Sequence, residues 1–309
     1  MQISSLRIFR DLAETASFSR VAEQSHITQS AVSQQVRVME KRFGVVLIER
    51  GRRSFALTAE GRILLETAKR IVNEFDSLED QFSEMKDLVA GEIRLAAVQS
   101  IGFHELPPFL RLFQSRYPDV KLETEYLRSS QVYDRVMERD VDFGLVAFPT
   151  KRRGIEMEII SSDRLILICA PNHRFANRRK VEPSDLTDEP FVSFDPDLPT
   201  RKAIDRILKK HQVTIKPAFE FDNIETVKRV VEVEDGISIV PETTVARERR
   251  DGLLATVEVA AEGMKRSIGV LYRKEMRMAL QKQRFLELLR ERTLHAMDDH
   301  RVGKSKRAA

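Results

Sequence analysis

The segment Ser17–Lys41, SFSRVAEQSHITQSAVSQQVRVMEK, constrains this chain more than any other stretch. It specifies two short helices joined by a turn, and it leaves a polar face on the second helix. Val32, Val36 and Met39, followed by Phe43, recur at spacings of four, three and four, the period of a helix with one buried stripe. Gln29, Ser30, Ser33, Gln34 and Arg37 fall on the opposite face. These are short or bidentate hydrogen-bonding side chains, the kind that read base edges and grip phosphates. Thr28 is the expected N-cap of this helix, and Ser19 that of the helix before it. A solvated surface helix would show the same polar face, so the flanking sequence has to decide.

The next residues along the chain are FGVVLIERGRRSFALTAEG, in which Gly44 ends the helix and two short β-rich runs surround ERGRRS. That predicts a hairpin with Arg50, Arg52 and Arg53 near its tip, a wing whose arginines suit a phosphate backbone or a narrow minor groove. Thr58 then starts a long helix running to about Val89. Gly61, Leu64, Ala68, Ile71, Phe75, Leu78, Phe82, Met85 and Val89 alternate at spacings of three and four along it. A sustained heptad stripe flanked by charge indicates a dimerisation seam, with Leu64, Ala68, Ile71, Phe75, Leu78, Phe82 and Met85 as its contacts.

Charge supports this division. Residues 1–58 hold nine Lys/Arg and five acids, whereas residues 59–91 hold four bases and eight acids, so only the first segment is suited to a polyanion. Of the 309 residues 42% are hydrophobic, and no run of about 18 apolar residues exists to span a membrane. The N-terminus reads as an amphipathic helix and not as a signal peptide, and a cytoplasmic location is the default expectation. Cys169 is the single cysteine and lies in the apolar run LILICA, which predicts a buried structural thiol.

Beyond Gly91, apolar strand runs alternate with helical patterns, which predicts parallel sheets in an α/β arrangement. Strands are expected over Ile93–Val98, Val120–Tyr126, Phe143–Phe148 and Leu165–Ala170, and helices include Phe103–Arg116, Gln131–Glu138 and Lys274–Met297. Ligands of such folds sit at the carboxyl ends of strands, against helix starts. Three places have suitable chemistry: Ser100, Ile101 and Gly102; Ser129, Ser130 and Gln131; and Ser193 with Thr200 and Arg201. Hydroxyls and amides there suit a carboxylate or another oxyanion. Serine and threonine would also stand there as plain N-caps. Phe148 and Phe194 are candidates for an apolar wall. His104 and Glu105 read as a solvated helix start.

The order of helix, helix-turn-helix, arginine-tipped wing, long helix and α/β domain resembles the LysR-type transcriptional regulators, to about residue 296. By that resemblance Gln29, Ser30, Ser33, Gln34 and Arg37 face the major groove, and Arg53 with Arg52 forms the wing contact. Gly236 and Pro241 flank ISIV, matching the family's glycine–strand–proline pattern. The resemblance implies a winged helix-turn-helix domain (1–58), a linker helix (59–90) and an effector domain (91–297). The effector domain would be of periplasmic-binding-protein type, with subdomain I at 91–163 and 267–297 and subdomain II at 164–266. Crossovers are placed near Ile160–Asp163 and Gly263–Arg266. Residues 298–309 read as a basic disordered tail.

The expected partners are double-stranded DNA at a quasi-palindromic site, a small anionic effector, a second copy of the chain in a homodimer or homotetramer, and RNA polymerase if the protein activates. No metal or resident cofactor is expected. No G-x-S-x-G elbow, P-loop or H-E-x-x-H motif occurs, so catalysis is not expected. A ligand-independent repressor and a solute-binding protein remain the alternatives.

Overall fold

Among the described residues, ten strands of the second half form one continuous network whose two halves share a single long strand. The computed structural model describes residues 2–50, 55–84, 88–234 and 236–291. The chain divides into two units, Met1–Leu88 and Val89–Ala309.

In the first unit α1 (Ile3–Thr15), α2 (Phe18–Gln24) and α3 (Gln29–Phe43) enclose a core of Phe9, Leu12, Val21, Val32, Val36 and Met39. Thr28 caps α3 as expected, its Oγ1 accepting from Ala31 N–H at 3.2 Å. The cap of α2 is Ser17, which accepts from Arg20 N–H at 3.3 Å, and not Ser19, because the helix begins two residues earlier. Gly44 ends α3 with a φ of 68°. Phe43 was expected in the buried stripe but is 46% exposed, so the stripe ends one turn short. Strands β1 (Ile48–Arg50) and β2 (Phe55–Leu57) pair antiparallel and form the two arms of the predicted hairpin.

Helix α4 (Ala59–Glu84) starts where Thr58 Oγ1 accepts from Gly61 N–H at 2.9 Å while donating to the Val46 carbonyl at 2.7 Å. Gly61 is required here, since a Cβ on it would lie 2.1 Å from the Leu47 carbonyl oxygen. Alanine in place of a helical glycine ordinarily stabilises. Gly61→Ala should instead cost about 1–3 kcal/mol, read as a lowered midpoint of thermal unfolding, because the obstacle is backbone and not a movable side chain.

Heptad spacing alone merged two different faces of α4. Ala68 and Val72 are fully buried with Leu6 of α1, and Leu64 packs beside them. Leu64 and Ala68 therefore belong to the unit's own core, contrary to their expected place in a dimer seam. Ile71, Phe75, Leu78 and Phe82 remain 42%, 36%, 41% and 56% exposed. Met85, the last expected seam residue, lies outside the described residues.

The second unit opens with β3 (Gly91–Ala97), α5 (Gln99–His104), α6 (Leu106–Arg116), β4 (Val120–Tyr126), α7 (Ser129–Met137) and β5 (Phe143–Ala147). Then comes β6 (Ile155–Cys169), fifteen residues long, of which only the apolar second half was legible as strand. It is followed by β7 (Lys180–Val181), β8 (Phe191–Phe194), α8 (Pro199–Lys210), β9 (Pro217–Phe221), α9 (Ile224–Val233) and β10 (Ile237–Pro241). Last come α10 (Ala246–Arg250), β11 (Ala255–Val259), β12 (Lys265–Arg273) and α11 (280–291). Helix α11 begins later than the expected Lys274, after a turn and an irregular stretch.

The first sheet has the order β4-β3-β5-β12-β6, and the second continues as β6-β10-β8-β9, with β11 beside β6 and β7 beside β11. The sheets are mixed and not parallel as expected, because β6 and β12 run antiparallel to their neighbours. Strand β6 pairs with β12 as far as Arg164↔Lys265 and with β10 from Leu165↔Pro241 onward, so the two crossover strands pass between subdomains at that level. Separate cores lie on either side, one around Phe109, Phe113, Phe143 and Phe285, the other around Leu167, Phe175, Phe191 and Ile239. Cys169 is fully buried in the second core, and desolvation pushes its thiol up to about 11.

Candidate nucleic-acid interface and ligand cleft

On α3, Gln29, Ser30, Gln34 and Arg37 are exposed and Ser33 is half-buried. Gln29, Ser33 and Arg37 follow one another at intervals of four residues, and Ser30 and Gln34 form the adjacent row. The hydroxyls of Thr28 and Ser30 lie 2.9 Å apart, which fixes the N-terminal end of this face. The face is thus anchored by Val32, Val36 and Met39 behind it and stays open in front. Arg52, Arg53 and the side chain of Arg50 lie outside the described residues, so the structure places the wing only through its two strands.

In the second unit a cleft of about 260 Å³ opens between the subdomains at the carboxyl ends of their strands. Ser100, Ser129, Gln131 and Thr200 line it, as expected. None of the three hydroxyls caps its helix. The caps are Val98, Arg128 and Leu198, which leaves the hydroxyls in the first turns and free of that duty. Phe194, Leu198, Pro199, Ile224 and Pro241 add apolar wall.

The other expected effector residues are not in the lining. Ile101 is core at 1% exposure. Gly102 serves packing, since a Cβ on it would meet the Tyr126 ring at 2.2 Å. Ser130 is exposed beyond the cleft. Ser193 is 2% exposed, because strand alternation turns Phe194 and not Ser193 to the cleft. Phe148 adopts a φ of 49° after β5 and packs against both subdomain cores. Arg201 donates to the Phe194 carbonyl and to Glu220 at 2.7 Å each and to Asp205 at 2.8 Å, tying α8 to β8 and β9.

Sequence reasoning missed Gln99, Arg128, Asp222 and Asn223, which all line the cleft. Asp222 and Asn223 come directly after the FEF strand and precede a helix, so the strand-end rule applied to β9 would have found them. Arg128 of subdomain I reaches Asp222 at 2.8 Å and Asp195 at 3.6 Å in subdomain II. His104 Nε2 likewise meets Glu225 of the other subdomain at 2.8 Å, and the buried Lys228 holds Glu225 at 2.9 Å. His104 and Glu105, expected as a solvated helix start, are therefore both engaged across the subdomain boundary.

Glu105 belongs to a buried cluster behind Ser100. Arg266, fully buried on β12, donates to Ser100 Oγ at 3.0 Å, to Asp163 Oδ2 at 3.3 Å and to Glu105 Oε1. Asp163 also accepts from the Thr243 hydroxyl at 2.6 Å and from its amide at 3.3 Å. Two carboxylates thus share one guanidinium out of water. Desolvation, with Asp163 adding to it, raises Glu105 to about 7 despite Arg266.

Two family models account for nearly the whole chain. Residues 3–62 match the bacterial regulatory helix-turn-helix protein, lysR family, and residues 86–294 match the LysR substrate binding domain. The chain belongs to the LysR family. This LysR-type protein is a sequence-specific DNA-binding transcriptional regulator with a substrate-binding domain attached. It is 26% identical over 279 residues to the RuBisCO operon transcriptional regulator of Allochromatium vinosum, covering 90% of this chain and 92% of that one. It is also 26% identical over 285 residues to the transcriptional regulator CysL of Bacillus subtilis, covering 92% of this chain and 95% of that one. The crystal structure of CbnR, a LysR family transcriptional regulator, has the same fold, with a TM-score of 0.70 at 21% identity over 94% of this regulator and 99% of CbnR. CbnR has also been solved complexed with its target DNA, with a TM-score of 0.69 at 22% identity over the same shares. Among the described residues no helix is long and apolar enough to cross a membrane.

Proposed function

We propose that this LysR-type regulator reads DNA with the Gln29–Arg37 face of α3 and the wing, pairs with a second copy through the exposed stripe of α4, and answers to a small anionic effector in the cleft. The observation that carries the effector assignment is the convergence of Ser100, Ser129 and Thr200 on one cavity that also holds Arg128. Hydroxyls in the first turns of helices, at the positive end of the helix dipole, suit an oxyanion. The protein acts by binding and not by catalysis, since the charged groups lining the cleft, Arg128 and Asp222, are occupied with each other. A chain that must meet chromosomal DNA works in the cytoplasm.

The effector assignment is tested by thermal unfolding of the full chain against small carboxylates, phosphates and sulfur oxyanions. A ligand at ~100 times its Kd adds about 2.7 kcal/mol to the unit that binds it. Stabilisation that Ser100→Ala abolishes supports the cleft. A folded chain that no panel member stabilises refutes an anionic effector.

The DNA assignment gives opposite expectations for two variants. Gln29→Ala should relax base preference by about 1–3 kcal/mol at one position. Arg53→Ala should weaken binding to all sequences alike and reduce the salt slope by about one. Fluorescence-polarisation titrations on scrambled and native operators at several salt concentrations separate the two.

A further inference from the structure

The cleft's inner end is backed by the buried cluster of Arg266, Asp163, Glu105 and Thr243, whose members come from β12, β6, the α5–α6 junction and the turn after β10. Among the described residues, Ser100 is the cavity-lining side chain that bonds to that cluster. We propose that Arg266 is a positioning residue that sets the hydrogen-bonding polarity of the cleft, holding Ser100 as a donor so that the inner end takes a hydrogen-bond acceptor, a carboxylate or similar oxyanion, and disfavours an ammonium or other donor. This rests on the proposed effector role of the cleft and adds the identity of the group that faces Ser100.

A serine hydroxyl has one proton and two acceptor positions. Arg266 Nη1 occupies one acceptor position from 3.0 Å and carries a full positive charge. The Ser100 proton is repelled from that side and turns toward the cavity, where no protein acceptor engages it among the described residues. Arg266 cannot turn away, because it is 0% exposed and held by Asp163 and Glu105. Arginine remains protonated throughout the working pH range, so the polarity is permanent. Ser100 alone would accept or donate equally well.

The groups facing Glu105 are Arg266 from β12, Asp163 from β6 and the Thr243 hydroxyl, while its neighbour His104 is turned to Glu225. An anion at Ser100 adds a third negative charge around one guanidinium. Glu105, raised to about 7, is the group placed to relieve it by taking up a proton. Carboxylate binding should therefore strengthen as pH falls from 8 to 6.

The test uses the full chain and matched probes, propionate with propylamine, benzoate with benzylamine, and succinate with 1,4-diaminobutane, titrated by thermal shift. At least one carboxylate should bind about tenfold or more tightly than its amine partner, the range of a hydrogen bond to a charged group. The preference should persist in Arg128→Ala, which removes the cleft's other cation, and in Ser100→Thr. It should fall to near parity in Ser100→Ala. It should also fall in Arg266→Lys, which keeps the charge but cannot span from the carboxylates to Ser100. Glu105→Gln should retain the preference and lose its dependence on pH. Binding with no preference, or a preference unchanged by both Ser100→Ala and Arg266→Lys, overturns the proposal while leaving the cleft as a ligand site. Absence of stabilisation by every probe overturns both.

Discussion

Exchanging Phe75 and Leu78 together for glutamate should leave the first unit folded and make the protein monomeric. The two side chains are 36% and 41% exposed, so no core is opened. They lie in the row Ile71, Phe75, Leu78 and Phe82, spaced four, three and four, the a/d rhythm of a two-helix seam. Two glutamates in that row would meet their own copies across a dimer axis, where like charges repel and are desolvated. DNA affinity should fall about 10²–10⁴-fold, because a second recognition helix otherwise binds at an effective concentration set by its tether. Sedimentation velocity and operator titration read the two effects, while the melting temperature stays near that of the parent. Ala68→Glu, two turns before Phe75 and fully buried against α1, should unfold the unit instead. An unchanged sedimentation coefficient in the double variant would remove α4 as the dimer seam.

In the second unit the largest stability loss is expected from Arg266→Leu. The change leaves Asp163 and Glu105 buried without a cation, and breaking a buried charge pair from one side costs about 3–5 kcal/mol. Leucine also vacates the donor to Ser100. The parent protein has a definite pH dependence of its own at this cluster. Glu105 titrates at about 7 in the fold against an ordinary value of 4.5, so its protonated form is favoured by folding. Its contribution is fully present below pH 4.5 and declines as pH rises through 7, by at most about 3 kcal/mol at 1.36 kcal/mol per unit. Urea unfolding of the parent should thus show the effector domain weakening between pH 5 and 8. Glu105→Gln, neutral at every pH, should flatten that slope. A slope unaffected by this variant would show that Glu105 does not carry the proton.

Much of the molecule was legible because its signals are local. The stripe of Val32, Val36 and Met39, the cap Thr28 and the terminating Gly44 lie within one helix, and each acts over three or four residues. The polar face of Gln29 to Arg37 arises from the same periodicity. The crossover near Asp163 and Arg266 was placed by family resemblance. The first half of β6 escaped detection because it mixes polar and apolar residues without the continuous apolar run of its second half.

Sequence by itself determined the order of the parts, the candidate DNA-reading helix and the strand-end positions where a ligand could sit, since helix period, capping and strand alternation are properties of neighbouring residues. Folding in three dimensions decided which candidates face the cleft and which serve the core, as with Ser100 against Ile101, or Phe194 against Ser193. It also separated the inner face of α4, taken by α1, from the outer one. The Arg266 cluster lay furthest from view: its guanidinium meets Asp163 at a separation of 103 residues and Ser100 at 166. No periodicity reports a pairing over such distances. It exists because two crossover strands bring distant parts of the domain to one level, where burial turns an ordinary arginine into the cation shared by two carboxylates.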